Sequence, residues 1–372
     1  MTGKLVVAII AKLYRLYGVF TSILAILGAL LIGVFIILAN GDSPLVAYLA
    51  MYTGSFGDLY HLASTLANAT PLIFTGLSVA VAFKAGVFNI GSEGQLYMGG
   101  IAAAVLGIYI TGLPSAVHIP LALLGGFLLG GLFGVFPAIL KVKTGADEVV
   151  TTIMANYVAI LFTSYLVNYP LKPASAPMGM TRDIMASAKL PLLYSLSRLN
   201  LGFVLALITI VLIWVFFKYS VRGYECRMMG QNINFARYAG LRVNNNIILA
   251  MLISGGLAGL AGAVQVLGVQ YRFVQDFSPG YGFDGITVSL MAGNNPFGIL
   301  PAAILFGAMR AGGLAMELAT KIPSELSSVL QALIILFVTA RGSIASYFEN
   351  KLASNEQKKQ GAIPNLELKG GQ

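Results

Sequence analysis

The residues best placed to act are few, and they stand inside long apolar stretches. Glu93 and Gln95 open one such stretch, Asp284 opens another, and Arg310 interrupts a third. A charge at bilayer depth is costly unless it faces a cavity, a partner or an interface, so these positions point to the passage of a solute or ion and not to bond-breaking chemistry. No G-x-x-x-x-G-K-[ST] run occurs, which excludes phosphate binding by a P-loop in this chain. His61 and His118 are the only histidines and Cys226 is the single cysteine, so neither a metal constellation nor an intrachain disulfide is expected. Both histidines are expected at the outer face.

Two segments break the apolar stretches with glycine and amide residues. In 86–95 (GVFNIGSEGQ), three glycines and Asn89 interrupt helicity before Glu93 and Gln95. In 282–298 (GFDGITVSLMAGNNPFG), Asp284 heads a helix too short to span, and Gly293, Asn294, Asn295 and Pro296 end it. Broken backbone at membrane depth survives only where it is buried in protein or lines a wet cavity. Each segment also fits an ordinary helix cap, with Ser92 or Asn89 capping one helix and Asp284 the other. A third segment, 146–157 (ADEVVTTIMANY), places Asp147 and Glu148 at a helix start, where acids oppose the helix dipole. Asn156 lies deeper and needs a partner, either another helix or a pathway.

The elements that must hold these residues are membrane helices. Hydrophobic residues make up 57% of the 372 and charged residues only 10%, a composition that fits lipid and not water. Apolar runs at 19–39, 66–83, 93–111, 119–140, 149–168, 201–217, 247–268, 284–292, 297–316 and 326–340 predict about ten helices, one of them short, since a span needs about 20 residues. The expected fold is an all-α integral membrane protein with discontinuous helices: an interfacial helix over 1–18, a polytopic domain over 19–340 and a polar tail over 341–372. The 43 glycines suit close helix packing. Lys84, Lys141, Lys143, the basic loop 218–246 and the basic residues of both termini fall on one side. Lys172, Arg182, Lys189, Arg198, Arg272 and Lys321 fall on the other. The positive-inside rule then puts both termini in the cytoplasm. The net charge of +9 is explained by that orientation, with no basic module for nucleic acid.

The loop 218–246 carries Lys218, Arg222, Arg227, Arg237 and Arg242 against one acid, Glu225. Residues 232–241 form a short amphipathic helix in this reading, with Phe235, Tyr238 and Ala239 on one side, suited to a groove on a partner protein. A solvated basic loop is the other reading. The spacing of Gly223, Gly230 and Gly240 favours defined structure.

Taken together, GVFNIGSEGQ, ADEVVTTIMANY, the loop RGYECRMMGQNINFARYAG and GFDGITVSLMAGNNPFGILPAAILFG, in this order and spacing over residues 66–310, resemble permease subunits of bacterial ABC importers. The superfamily is that of the ribose and branched-chain amino acid permeases, and the nucleoside and simple-sugar branch is nearest. Ser92 stands where alanine is more usual in that family. The resemblance implies a bacterial plasma-membrane location and three kinds of partner: a second, homologous permease subunit in a heterodimer, ABC ATPase subunits that carry ATP and magnesium, and an extracytoplasmic substrate-binding lipoprotein. No cofactor is expected in this chain. By the same likeness 222–240 is the element that couples to the ATPase, through Arg222, Gly223, Gly230, Asn232, Ala236, Arg237, Tyr238 and Gly240. Asn89, Glu93, Gln95, Asn156, Asp284, Asn294 and Asn295 would stand near the translocation route. A nucleoside is the expected solute, with a simple sugar such as ribose or galactose as the alternative. An ion-coupled secondary transporter is the reading from a different class; it needs deep ionisable groups, for which Glu93 and Arg310 are the candidates.

Overall fold

In lipid the backbone must satisfy its hydrogen bonds internally, and a chain this apolar does so with helices. The computed structural model describes residues 27–320, 322–323, 325–326, 328–333 and 336–337, and among them there are helices and no strand. The interfacial helix expected at 1–18 and the tail expected at 341–372 lie outside the described residues, and the helix expected at 326–340 falls within them only in part.

Two compact units divide the chain. In the smaller, α1 (Leu27–Ala39) carries Gly28, and the Phe337 ring lies beside that glycine. The larger, 40–328, holds α2 (Pro44–Phe56), α3 (Leu59–Lys84), α4 (Ser92–Tyr109), α5 (Ser115–Thr144), α6 (Glu148–Asn168), α7 (Gly202–Tyr219), α8 (Val221–Gln231), α9 (Ile233–Tyr238), α10 (Val243–Gln265), α11 (Tyr281–Met291) and α12 (Pro296–Ala319). Six of the described helices are long and apolar enough to cross a membrane: α3, α5, α6, α7, α12, and α10 with the π-helical turn Val266–Gln270 that extends it.

Helices expected from the apolar runs form close to their expected places, with shifted ends. α3 starts at Leu59 and not at residue 66, because Asp58 caps it by accepting from His61 N at 2.8 Å. Helix α2 is an addition, as 42–65 mixes Ser, Thr, Asp and Gly with apolar residues and shows no clean run. At 13 residues it is about 20 Å long by the rise of an α-helix, short of the bilayer core.

The core of the larger unit is built where α10 packs on α3, α4 and α5. Gly126, Gly130 and Gly134 recur every fourth residue on α5, and Gly255 and Gly259 do so on α10, which lines up two smooth faces. A Cβ added at Gly130 would lie 2.6 Å from the Gly255 carbonyl, and one at Gly262 would lie 1.9 Å from that of Leu96. The backbones therefore touch. At one end of the bundle, segments 169–201 and 271–280 are tied by Thr181 N to Phe273 O and Gln275 N to Gly179 O, at 2.9 and 2.8 Å, and by an Arg272–Asp183 ion pair at 2.9 Å. His118 is buried at the start of α5, on Ser187 Oγ and the Leu106 carbonyl.

Candidate functional site

Helix α3 ends at Lys84, Gly86 turns the chain at φ +73°, and the backbone re-enters the bundle without helical bonds until Ser92. Ser92 Oγ sits 3.1 Å from Ser78 Oγ, so α4 begins level with a residue six places before the end of α3, about 9 Å in from that end. Side chains satisfy the broken stretch. Asn89 Oδ1 accepts from Gly91 N (2.9 Å) and Gln95 Nε2 (3.1 Å), while Asn89 Nδ2 donates to Gln95 Oε1 (2.9 Å) and Ser254 Oγ (2.7 Å). Asn156 reaches across from α6, accepting from Gly94 N at 2.8 Å and donating to the Ile90 carbonyl at 2.9 Å. Ser254 donates to the Ser78 carbonyl at 2.7 Å. Asn89, Gln95 and Asn156 are all buried. Sequence reasoning singled out these three; the fold brings them together, with Asn89 and Gln95 bonded to each other and Asn156 bonded to the backbone on either side of the start of α4.

Just above this network lie the ionisable groups. Glu93, in the first turn of α4, is 3% exposed, and its Oε2 accepts from Gly282 N at 2.6 Å. Gly282 belongs to the first turn of α11, whose own N-cap, Gly280, supplies no side chain. A carboxylate from another helix thus caps α11 and opposes its dipole. Only glycine fits there, because a Cβ at Gly282 would lie 2.3 Å from Glu93 N, and Gly285 is similarly pressed on Thr75. Asp284 is paired across to α12 by Arg310, Oδ2 to Nη2 at 2.5 Å. Arg310 Nη2 also donates to the Pro279 carbonyl at 3.2 Å, and the guanidinium lies 4.7 Å from the Tyr281 ring centre. Its Nε is buried with no hydrogen-bond partner among the described residues. Tyr97, one turn after Glu93, packs with Phe273 and Phe277 into an aromatic cluster.

Asn294 and Asn295 stand elsewhere. Asn294 adopts φ +57° and its Oδ1 meets Ser289 Oγ at 2.9 Å; Asn295 caps α12 by accepting from Phe297 N. Asn295 and Pro296 share a cavity with Lys84 and Lys218, which puts this turn at the same end of the bundle as the ends of α3 and α7.

The basic arm rises from that end. Ser220 caps α8 by accepting from Gly223 N at 2.9 Å. Gly223 presses on the Phe216 carbonyl, and Gly230 presses on that of Lys84, where an added Cβ would come within 2.1 Å. Arg222 pairs with Glu225 at 3.0 Å, and burial pushes the Cys226 thiol up to about 11. Asn232 caps α9 through Asn234 N and Phe235 N. The expected helix at 232–241 is therefore Ile233–Tyr238, closed by Gly240 at φ +79°. Ala236 is buried, while Phe235, Arg237 and Ala239 are exposed and Tyr238 is 92% exposed.

Residues 61–339 match the family described as the branched-chain amino acid transport system / permease component. The chain is 40% identical to the guanosine ABC transporter permease protein NupP of Bacillus subtilis (strain 168), over 94% of this chain and 99% of that protein. The chain belongs to this permease family. It is also 34% identical to the nucleoside ABC transporter permease protein NupB of Lactococcus lactis subsp. cremoris, over 87% of this chain and 91% of that one. A third relative, the glucose ABC transporter permease protein TsgB13 of Haloferax volcanii, is 31% identical over 87% of each chain.

As a permease component the protein is no enzyme, and ATP hydrolysis lies in a separate subunit. Its apolar helices and its family make it a multi-pass protein of the bacterial plasma membrane. The permease holds functional-site candidates that the sequence did not flag. Ser78 and Ser254 lie 176 residues apart, and nothing local marks either of them. Arg310 was visible as a charge in a span, but its pairing with Asp284 was not.

Proposed function

We propose that this permease forms one half of the translocation pathway of an ATP-driven importer for nucleosides. What supports the solute class is that relatives covering nearly the whole chain are named guanosine and nucleoside permeases. The glucose permease among the relatives favours a simple sugar as the second reading. In our reading the bundle comprises about ten spans over 19–340, with both termini cytoplasmic, following the bias of basic residues. It pairs with a second, homologous permease, and a substrate-binding lipoprotein delivers solute from outside. ABC ATPase subunits carrying ATP and magnesium dock on the exposed side of α9. Arg222, Gly223, Gly230, Asn232, Ala236, Arg237, Tyr238 and Gly240 shape that coupling element. Gly223, Gly230 and the capping residues fix the arm rigidly on α7 and α3, which suits it to transmit movement.

The route passes beside the first turns of α4 and α11. Glu93 and Asp284 stand at its wall, Asn89, Gln95 and Asn156 hold the unwound backbone behind it, and Asn294 and Asn295 lie toward its cytoplasmic end. The test is reconstitution. With the full complex in liposomes, labelled guanosine should accumulate only when ATP and the binding protein are present. Unlabelled ribose or glucose should fail to compete. Uptake by this chain alone, driven by an ion gradient, would remove the assignment.

A further inference from the structure

At the end of the bundle where α3 and α7 finish and α12 begins, a cavity of about 440 Å³ is lined by Lys84, Trp214, Phe217, Lys218, Arg227 and Pro296, together with two residues of the turn before α12. Three cations from three helices converge there. Among the described residues no carboxylate pairs with any of them. Two of them lie against rings instead: Lys84 Nζ is 5.0 Å from the Phe217 ring centre, and Lys218 Nζ is 4.6 Å from that of Trp214. Pro296 is the first residue of α12, so the positive end of that helix dipole adds to the field. Like charges on the wall of one cavity repel, and an anion with several acceptor oxygens would offset that repulsion.

We infer that this cavity binds the phosphate of an anionic phospholipid in the leaflet at that face. The shared chemistry would also admit free phosphate, but the walls favour a lipid. Val211, Trp214 and Lys218 follow one another at helical spacing along α7, so an apolar stripe runs up from the cation toward the bilayer. Val211 is exposed, as is Phe297 on α12, whose ring meets Trp214 at 5.7 Å. A headgroup in the cavity leaves its acyl chains lying along that stripe. Basic pockets between membrane helices, edged by tryptophan at the interface, suit such headgroups. The charge of the cavity does not depend on the importer assignment; the assignment only names the leaflet as cytoplasmic.

The test uses the assembled transporter purified in mild detergent and stripped of lipid. Phosphatidylglycerol, phosphatidylcholine and inorganic phosphate are titrated separately, and bound molecules are counted by native mass spectrometry. Wild type should retain phosphatidylglycerol about tenfold better than phosphatidylcholine, and K84Q/R227Q should lose that preference. K143Q, which removes a charge elsewhere, should keep it. Should K84Q/R227Q fold poorly, K84R/R227K keeps the charge and should preserve binding. Equal retention of both lipids, or a preference unchanged in K84Q/R227Q, overturns the proposal. So does saturation by inorganic phosphate at the same concentration, or binding that appears only after the ATPase subunits are removed, which would mark the cavity as a protein contact.

Discussion

Asn89 uses all of its amide: two donors and two acceptor sites, each occupied by Gln95, Ser254 or Gly91. Alanine there strands several buried groups at once, and each unsatisfied group costs about 1–3 kcal/mol. N89A should therefore lower the thermal midpoint of the detergent-solubilised permease well below that of an exposed-site control such as Y238A. Asp284 and Arg310 allow a sharper experiment, since removing one member of a largely buried ion pair costs about 3–5 kcal/mol while replacing both by apolar residues is often neutral. D284L should destabilise strongly, and the double variant D284L/R310M should recover much of the loss. A thermal double-mutant cycle reads the coupling directly, and additive losses would show that the pair contributes nothing beyond its two members. Cys226 offers a chemical check outside the membrane helices. A thiol raised by burial to about 11 is almost wholly protonated at neutral pH, so maleimide labelling of the folded complex at pH 7.5 should be slow and should speed up on denaturation.

Elements were legible where one physical signal dominated. The long apolar runs gave α3, α5, α6, α7, α10 and α12 to within a few residues at most ends, since lipid leaves such segments no alternative to helix. Glycine and asparagine clusters marked the break before α4 and the short α11 for the same reason. Helices α2 and α8 escaped notice because their stability comes from what they rest on. Gly54 of α2 abuts Ala315 of α12, and Gly223 and Gly230 of α8 sit on the carbonyls of Phe216 and Lys84. No local pattern encodes those contacts. At the site, polar residues in apolar runs were visible singly, but Asn156 bonding to Ile90 and Gly94, or Glu93 capping α11, requires helices distant in sequence to meet. The glycine seam can be tested at this scale. A Cβ at Gly130 meets Gly255 and Gly259 backbone atoms within 3.0 Å, so G130A must push α5 off α10 and should cost about 1–3 kcal/mol by overpacking. G240A has open space and bears only the strain of a left-handed residue, about 1–2 kcal/mol. The two variants should separate on helix packing, with G130A showing faster amide exchange along α10 and G240A confined to the arm.

Across the whole molecule, the basic arm and the ionisable pair sit apart in the fold, and the importer reading requires them to communicate. Helix α8 bears on the end of α3 through Gly230, α3 carries Ser78 and Thr75, Ser78 contacts Ser92 at the start of α4, and Thr75 supports Gly285 of α11. These contacts make a continuous path from the arm to the starts of both broken helices, and the importer reading requires a push on the arm to travel along it. Tyr238 separates coupling from folding, because a side chain 92% exposed contributes almost nothing to the stability of the chain that bears it. Y238D should leave the thermal midpoint and the helical circular dichroism unchanged while abolishing co-purification of the ATPase, or leaving it bound with hydrolysis no longer stimulated by loaded binding protein. R237D should do the same by reversing a charge at the last turn of α9. If both variants import at wild-type rates in liposomes, α9 does not bear on the ATPase, and the coupling proposed for the arm is lost.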